Sequence, residues 1–288
     1  MSVAIVTDST AYLPVDLVAR HGIWVVPLHV VVGGRQFSEG VDVTTAEVAA
    51  ALRKFTPVTT SRPSPKAFLD AYEAAAASGA DAIVSVHISS DMSGTVESAA
   101  LAASQSPIPV EVVDSRSLGM AMGYAVLSAA KAAQEGQGAK AVAAIASSRA
   151  EAATVIFYVD TLEHLRRGGR IGAASALLGS ALAIKPLLAL SDGHIKPIEK
   201  VRTSARALSR LEELAIRAVD EARQTGVDIA VHHLDSQIRA SELADRLRTR
   251  VPPTATVVLV ELGAVVGAHV GPGTIAVAIS PRPSGDQD

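Results

Sequence analysis

AIVSVHISSDMSGT, residues 82–95, is the stretch on which the fold turns. Seven residues dominated by Ile and Val run into small polar residues, and alanine-rich sequence follows. A β-branched run of this length reads as a strand, and the polar cluster as the loop leaving its C-terminal end. The pairing recurs on either side. Residues 3–6 (VAIV) run into Thr7, Asp8, Ser9 and Thr10, and residues 110–113 (VEVV) into Asp114 and Ser115. Further strands are expected over 23–32, 154–159, 228–232, 256–261 and 274–279. Helices are expected over 66–77, 118–134, 139–148, 204–222 and 242–250. Leu208, Leu211, Ala215, Ala218 and Ala222 recur three and four residues apart, which draws one apolar stripe along a helix. Strands alternating with helices predict an α/β fold with mostly parallel sheets. Strands so continuously apolar predict cover on both sheet faces.

A length of 288 residues suits one large domain or two modest ones. No Gly/Ser or Pro linker divides the chain. The predicted boundary follows the helical block ending near Ala153, giving α/β domains over 1–153 and 154–280 and a polar tail over 281–288. With 49% apolar residues but only 3% aromatics, the core must be built from Ala, Val, Leu and Ile. The formal charge of −3 comes without a Lys/Arg block, which argues against nucleic acid as a partner. The absence of cysteine excludes disulfides, thiolate nucleophiles and Cys-ligated zinc. His232 and His233 would point to opposite faces of a strand, so no metal site is expected. The N-terminal apolar run is too short for a signal peptide, and no uncharged apolar stretch reaches the ~18–20 residues that span a bilayer. The expected location is the cytoplasm.

Several motifs admit both a structural and a functional reading. Loops at strand C-terminal ends form the ligand crevice of open α/β sheets, so residues 7–10, 89–95 and 114–115 are expected to converge. Each also reads as helix capping, with Ser9 or Thr10 capping a helix that has Pro14 near its first turn. In TTSRPS, residues 59–64, a cap at Ser64 followed by Pro65 explains the end of the run but not Thr59, Thr60 and Ser61. In LEHLRRGGRIG, residues 162–172, Gly168 and Gly169 can end a helical turn, while Arg170 needs an anion, a carboxylate side chain or solvent. GAVVGAHVGPG, residues 263–273, reads as a glycine-rich loop with one histidine, His269. Its glycines imply close backbone approach to something. There is no phosphate loop, no nucleophile elbow and no HExxH.

Nine segments in order resemble the DegV family: TDSTAYLP (7–14), VVPL (25–28), TTSRPS (59–64), SSDMSGTVESA (89–99), DS (114–115), LEHLRRGGRIG (162–172), IKPLL (184–188), DGHIKPIEKVRT (192–203) and GAHVGPG (267–273). The resemblance implies two α/β domains and a long-chain fatty acid held in a protein tunnel as bound ligand, with no other cofactor. It implies a carboxylate met by Thr60 and Ser93, with Ser61 beside them. The family's arginine after the glycine pair and its H-x-G-x-G histidine fall on Arg170 and His269. It further implies a carrier rather than an enzyme, one that presents the lipid to a separate fatty acid kinase and makes at most transient membrane contact. Arg62, Met92 and Val96 depart from the usual pattern, which bears on chain-length preference and the head-group shell.

The energetics suit such a ligand. About 14 methylenes at ~0.8 kcal/mol each give a gross gain of about 11 kcal/mol, whereas an unpaired buried carboxylate would cost many kcal/mol. Hydroxyls donating charge-assisted hydrogen bonds answer that cost. Lys200 and Arg202 lie at a helix N-terminus, where the dipole disfavours cations, so Arg202 is a candidate docking residue for the kinase. Two alternatives stand beside this reading. One is an acyl hydrolase or phosphoryl transferase with Ser93 as nucleophile and His269 as base. The other is a regulatory module that keeps the ligand only as a folding cofactor.

Overall fold

The computed structural model describes residues 2–177, 184–222 and 226–283. Residues 284–288 of the predicted tail lie outside the described residues. The first half of the chain runs β1 (Val3–Asp8), α1 (Val15–His21), β2 (Trp24–Val26), β3 (His29–Val32), β4 (Arg35–Ser38), α2 (Thr45–Arg53), β5 (Val58–Ser61), α3 (Pro65–Ala77), β6 (Ala82–His87), α4 (Thr95–Ala103), β7 (Val110–Asp114), α5 (Met120–Gln134) and α6 (Ala139–Ala152). The second half runs β8 (Thr154–Tyr158), α7 (Glu163–Arg167), β9 (Lys185–Ser191), β10 (His194–Val201), α8 (Ser204–Glu221), β11 (Val227–His233), α9 (Gln237–Arg250), β12 (Thr256–Glu261), α10 (Ala264–Val270) and β13 (Ile275–Pro281).

The α/β class is as predicted, but the sheets are less parallel than expected. The order β2-β1-β6-β7 is parallel throughout. The order β10-β9-β8-β13-β11-β12 has a single parallel pair, β11 with β12, and β4-β3-β5 is antiparallel. Connection length accounts for the β3–β4 and β9–β10 pairs, because parallel neighbours need a crossover of a dozen or more residues. Asp192 and Gly193, both at positive φ (53° and 81°), return β9 into β10 in two residues. The predicted strand over 23–32 is split at Pro27, which has no N–H for a ladder. Its first part joins the parallel sheet and its second the small one. Ser64 caps α3 with Pro65 in its first turn, as read from sequence. The cap expected at Ser9 or Thr10 does not form: α1 is N-capped by Pro14 without a side-chain hydrogen bond, and Asp8 caps the 3-10 turn Ser9–Ala11 that precedes it, its side chain accepting from the Thr10 N–H.

The segment 263–273 corrects a further expectation, since most of it is the helix α10 rather than a loop. Val265, Val266, Ala268 and Val270 are buried, and that burial outweighs the cost of an internal glycine. A Cβ on Gly267 would sit 3.2 Å from Leu234, so the glycine permits close packing.

Strand alternation gives the six-stranded sheet two apolar faces. Ile156, Tyr158, Val231, Val277 and Ile279 face α8 and α9, meeting Leu211, Ala215, Leu243 and Leu247. Val155, Ala230 and Ala278 face the other way, toward Met120, Ala121 and Tyr124 of α5. Both faces are therefore covered. The apolar stripe read along α8 packs as predicted, with Leu211 and Ala215 fully buried and Leu208, Ala218 and Ala222 beside them. Among the described residues no helix is long and apolar enough to cross a membrane.

Candidate functional site

Four segments distant in sequence meet at one cavity of about 70 Å³. β5 supplies Thr60 and Ser61, the turn before α4 supplies Met92 and Ser93, the segment after α7 supplies Arg170, and α10 supplies His269. All five residues singled out from sequence as ligand-binding thus line the same space.

Local structure explains how each is presented. α7 ends at Gly168, and Gly169 takes the left-handed φ of 71° that turns the chain out of the helix. Arg170 then reaches back. Its Nε donates to the Met92 carbonyl at 3.0 Å and its Nη1 to the Gly168 carbonyl at 2.6 Å. Among the described residues it is held by backbone oxygens, which tie the turn bearing Ser93 to the turn after α7. His269 packs on Gly168 so closely that a Cβ there would lie 2.0 Å from its Nδ1. The glycines after His269 answer to protein side chains as well: a Cβ on Gly271 would meet His164, and one on Gly273 would meet Asp160.

Thr60 Oγ1 and His269 Nε2 are hydrogen-bonded at 2.8 Å, and Ser93 Oγ pairs with Thr95 Oγ1 at 2.9 Å. Burial, with the Arg170 charge adding to it, pushes the His269 pKa down to about 4. The ring is neutral near pH 7, and its Nδ1 is buried with no hydrogen-bond partner among the described residues. Arg62, one of the departures from the family pattern, lines the cavity and donates from Nη1 to the Gly94 carbonyl at 3.1 Å and to Glu97 at 2.5 Å. Met92 also lines it, whereas Val96 is not among the lining residues.

Most of the expected convergence of strand-end loops does not occur. Asp8 is fully buried and accepts from the Ile88 N–H, the Thr10 N–H and His87 Nδ1. Asp114 is occupied with Ser90 and Arg116. Of the three clusters, only that over residues 89–95 reaches the cavity, through Met92 and Ser93. A buried array of Asp8, His87 and Ser85 does form, with His87 Nε2 2.7 Å from Ser85 Oγ. Sequence reasoning missed it, and all three residues have no exposed surface. His232 and His233 diverge as expected: His232 Nε2 accepts from the Met120 N–H at 3.1 Å. Among the described residues no group of His, Asp and Glu is placed to hold a metal ion.

Two further spaces adjoin the cavity. An apolar one of about 50 Å³ shares Leu118, Ile195, Val266 and Val270 with it, and continues over Phe157, Ala276 and Ala278. A surface groove of about 410 Å³ shares Thr60, Arg170 and His269, and adds His164 and Arg167. A larger cleft, of about 910 Å³ beside Tyr12 and Glu39, holds none of the predicted site residues.

A family model described as uncharacterised protein, DegV family, matches residues 2–282. A DegV domain-containing protein of Streptomyces coelicolor is 54% identical over 280 residues, spanning 97% of this chain and 99% of its own. Among solved structures, a DegV family protein from Thermus thermophilus described for fatty acid binding aligns with TM-score 0.91 and 34% identity, covering 98% of this chain and 100% of that one. A fatty acid binding DegV protein from Bacillus subtilis aligns with TM-score 0.89 and 32% identity over the same shares.

Proposed function

This chain belongs to the DegV family, and on that premise we propose that it binds one long-chain fatty acid and presents the carboxylate to a separate fatty acid kinase. The observation that carries the reading is the junction of two spaces. One is ringed by Thr60, Ser61, Ser93, Arg170 and His269, and it shares four apolar lining residues with another lined by Val155, Phe157, Leu190 and Leu262. A polar end adjoining an apolar space matches an amphiphile with one anionic head. Both spaces are narrow, so the lining side chains must move outward to admit the acyl chain.

Hydrogen bonding assigns roles at the head. If His269 Nε2 accepted the Thr60 hydroxyl, the proton would sit on Nδ1 as a buried, unpaired N–H, the costlier kind of orphan. We therefore assign the proton to Nε2. His269 then donates to Thr60 Oγ1, and the Thr60 hydroxyl hydrogen is free for the carboxylate. Ser93 supplies a second donor, and the Arg170 guanidinium offsets the anion's charge. The groove that shares Thr60, Arg170 and His269 gives a phosphoryl donor a route to the head; Arg167 within it is paired with Glu163 at 2.7 Å. Arg202 is exposed, directly before Thr203, whose side chain caps α8. We place kinase docking there. A hydrolase built on Ser93 and His269 gains no support, because Ser93 is paired with Thr95 while His269 is paired with Thr60 and, among the described residues, has no carboxylate on Nδ1.

Organic extraction and mass spectrometry of the purified protein test the binding reading. About one equivalent of a saturated or monounsaturated fatty acid of roughly 14–18 carbons is expected, given the transfer free energy per methylene. No extracted lipid, together with no binding of added palmitate or oleate, would rule the carrier out.

A further inference from the structure

Resting on that reading, the geometry points to an acyl-length gauge at the far end of the apolar space, with Ala278 as its limiting residue and Tyr124 and Arg149 as its end wall. Alternation along β13 sends Ile275, Val277 and Ile279 to the α8 and α9 side, and Ala276, Ala278 and Ser280 to the opposite face. On that face the strand register sets Ala276 between Phe157 and His232, and Ala278 between Val155 and Ala230. Ala276 sits between two larger side chains, and Ala278 between Val155 and a further alanine, Ala230, so the small side chains leave a trough. Thr274, Ala276 and Ala278 all line the apolar space.

The direction of the trough follows from the chain. His269 stands at the head-group end, and β13 begins a few residues later, so residues 274, 276 and 278 mark successive steps away from the head. The next residue facing that way is Ser280, which is fully buried and accepts from Arg149 Nε at 3.1 Å. Arg149 also donates from Nη1 to Ser128 Oγ at 2.6 Å and pairs through Nη2 with Asp228. Beyond Ala278 the apolar trough therefore meets a charged cluster whose partners are already engaged. A methyl terminus entering there would separate buried charges from their partners, which is strongly unfavourable.

Tyr124 packs against Ala278 from the α5 side, behind the residues that line the space. Its ring lies against the Arg149 guanidinium, 5.3 Å from centroid to Cζ, and packs with Val155, Ala230 and Ala278. Its hydroxyl is buried with no hydrogen-bond partner among the described residues. The hydroxyl gains nothing from pairing there, so the contribution of the side chain is bulk at the end of the trough.

The test is a binding profile with laurate, myristate, palmitate and stearate, run on the full chain stripped of lipid. Ala278→Leu shortens the trough, so stearate affinity should fall by about tenfold or more, the effect of misfitting a methylene or two, while laurate changes by less than about twofold. Tyr124→Leu lengthens it and should shift the preference toward the longer chains. If Ala278→Leu does not fold, Ala278→Val and Tyr124→Leu decide the matter. Failure of the parent protein to bind any of the four acids would overturn the carrier reading itself. Binding by the parent with an unchanged length profile in the variants, or with equal losses at every length, would overturn the gauge alone.

Discussion

Thr60 stands between two partners, with His269 on one side of its oxygen and the proposed carboxylate on the other. Thr60→Val keeps the shape and removes both interactions, and Ser93→Ala removes the second donor. Each should weaken palmitate binding by roughly 1.5–3 kcal/mol, the range for a hydrogen bond to a charged group, with the fold retained. Calorimetric titration of lipid-free protein reads this directly. Unchanged affinity in both variants would move the carboxylate elsewhere. Arg170 differs in kind, since its guanidinium already binds two backbone carbonyls and so orders the site as well as charging it.

At the scale of the element, α10 is decisive. Its N-terminal end is held from outside: Glu39 accepts from the Val265 N–H at 2.7 Å, and Tyr12 Oη accepts from the Val266 N–H at 3.2 Å. Glu39 also takes hydrogen bonds from Ser9 at 2.5 Å and Tyr12 at 3.3 Å, while burial raises its pKa. The opposite end of the helix carries His269. Glu39→Ala should leave the Val265 N–H buried and unpaired, costing about 1–3 kcal/mol of stability. By loosening α10 it should also weaken fatty acid binding. Glu39→Gln keeps an acceptor and should restore most of both. Melting temperature and palmitate affinity, measured side by side, check this; wild-type affinity in Glu39→Ala would mean that α10 is seated by its apolar packing alone.

For the whole molecule, the cavity draws on both sides of the boundary we propose after Ala153. Leu28, Thr60 and Ser93 come from one side, and Leu165, Ile195 and His269 from the other. One apolar cluster likewise includes Val84 and Met122 together with Leu188 and Ala276. Ligand binding should therefore be felt across both halves, while docking of a partner at the exposed Arg202 should not disturb the cavity. Arg202→Glu is expected to leave palmitate affinity and melting temperature nearly unchanged and to slow association with the proposed kinase partner in a salt-dependent way. Acyl phosphate formation at the wild-type rate would place the docking surface elsewhere.

The α/β class, most strands and the buried stripe of α8 were legible in the sequence because each rests on local periodicity and chain-local sterics. The cap at Ser64 and the helix stop at Gly168 and Gly169 were legible for the same reason. Residues 263–273 were misread because helix formation there depends on burial of Val265, Val266 and Val270, which glycine content cannot report. The glycines did announce close approach, but only the fold shows that Leu234, His164 and Asp160 are what approaches. The five candidate ligand residues could be proposed from motifs. That they line one cavity, that Arg170 binds carbonyls, and that Ala276 and Ala278 line the adjoining apolar space were decided by the tertiary structure. These contacts join residues up to 209 positions apart, as with Thr60 and His269, and no local pattern encodes which distant side chain will fill a given hydrogen bond or gap.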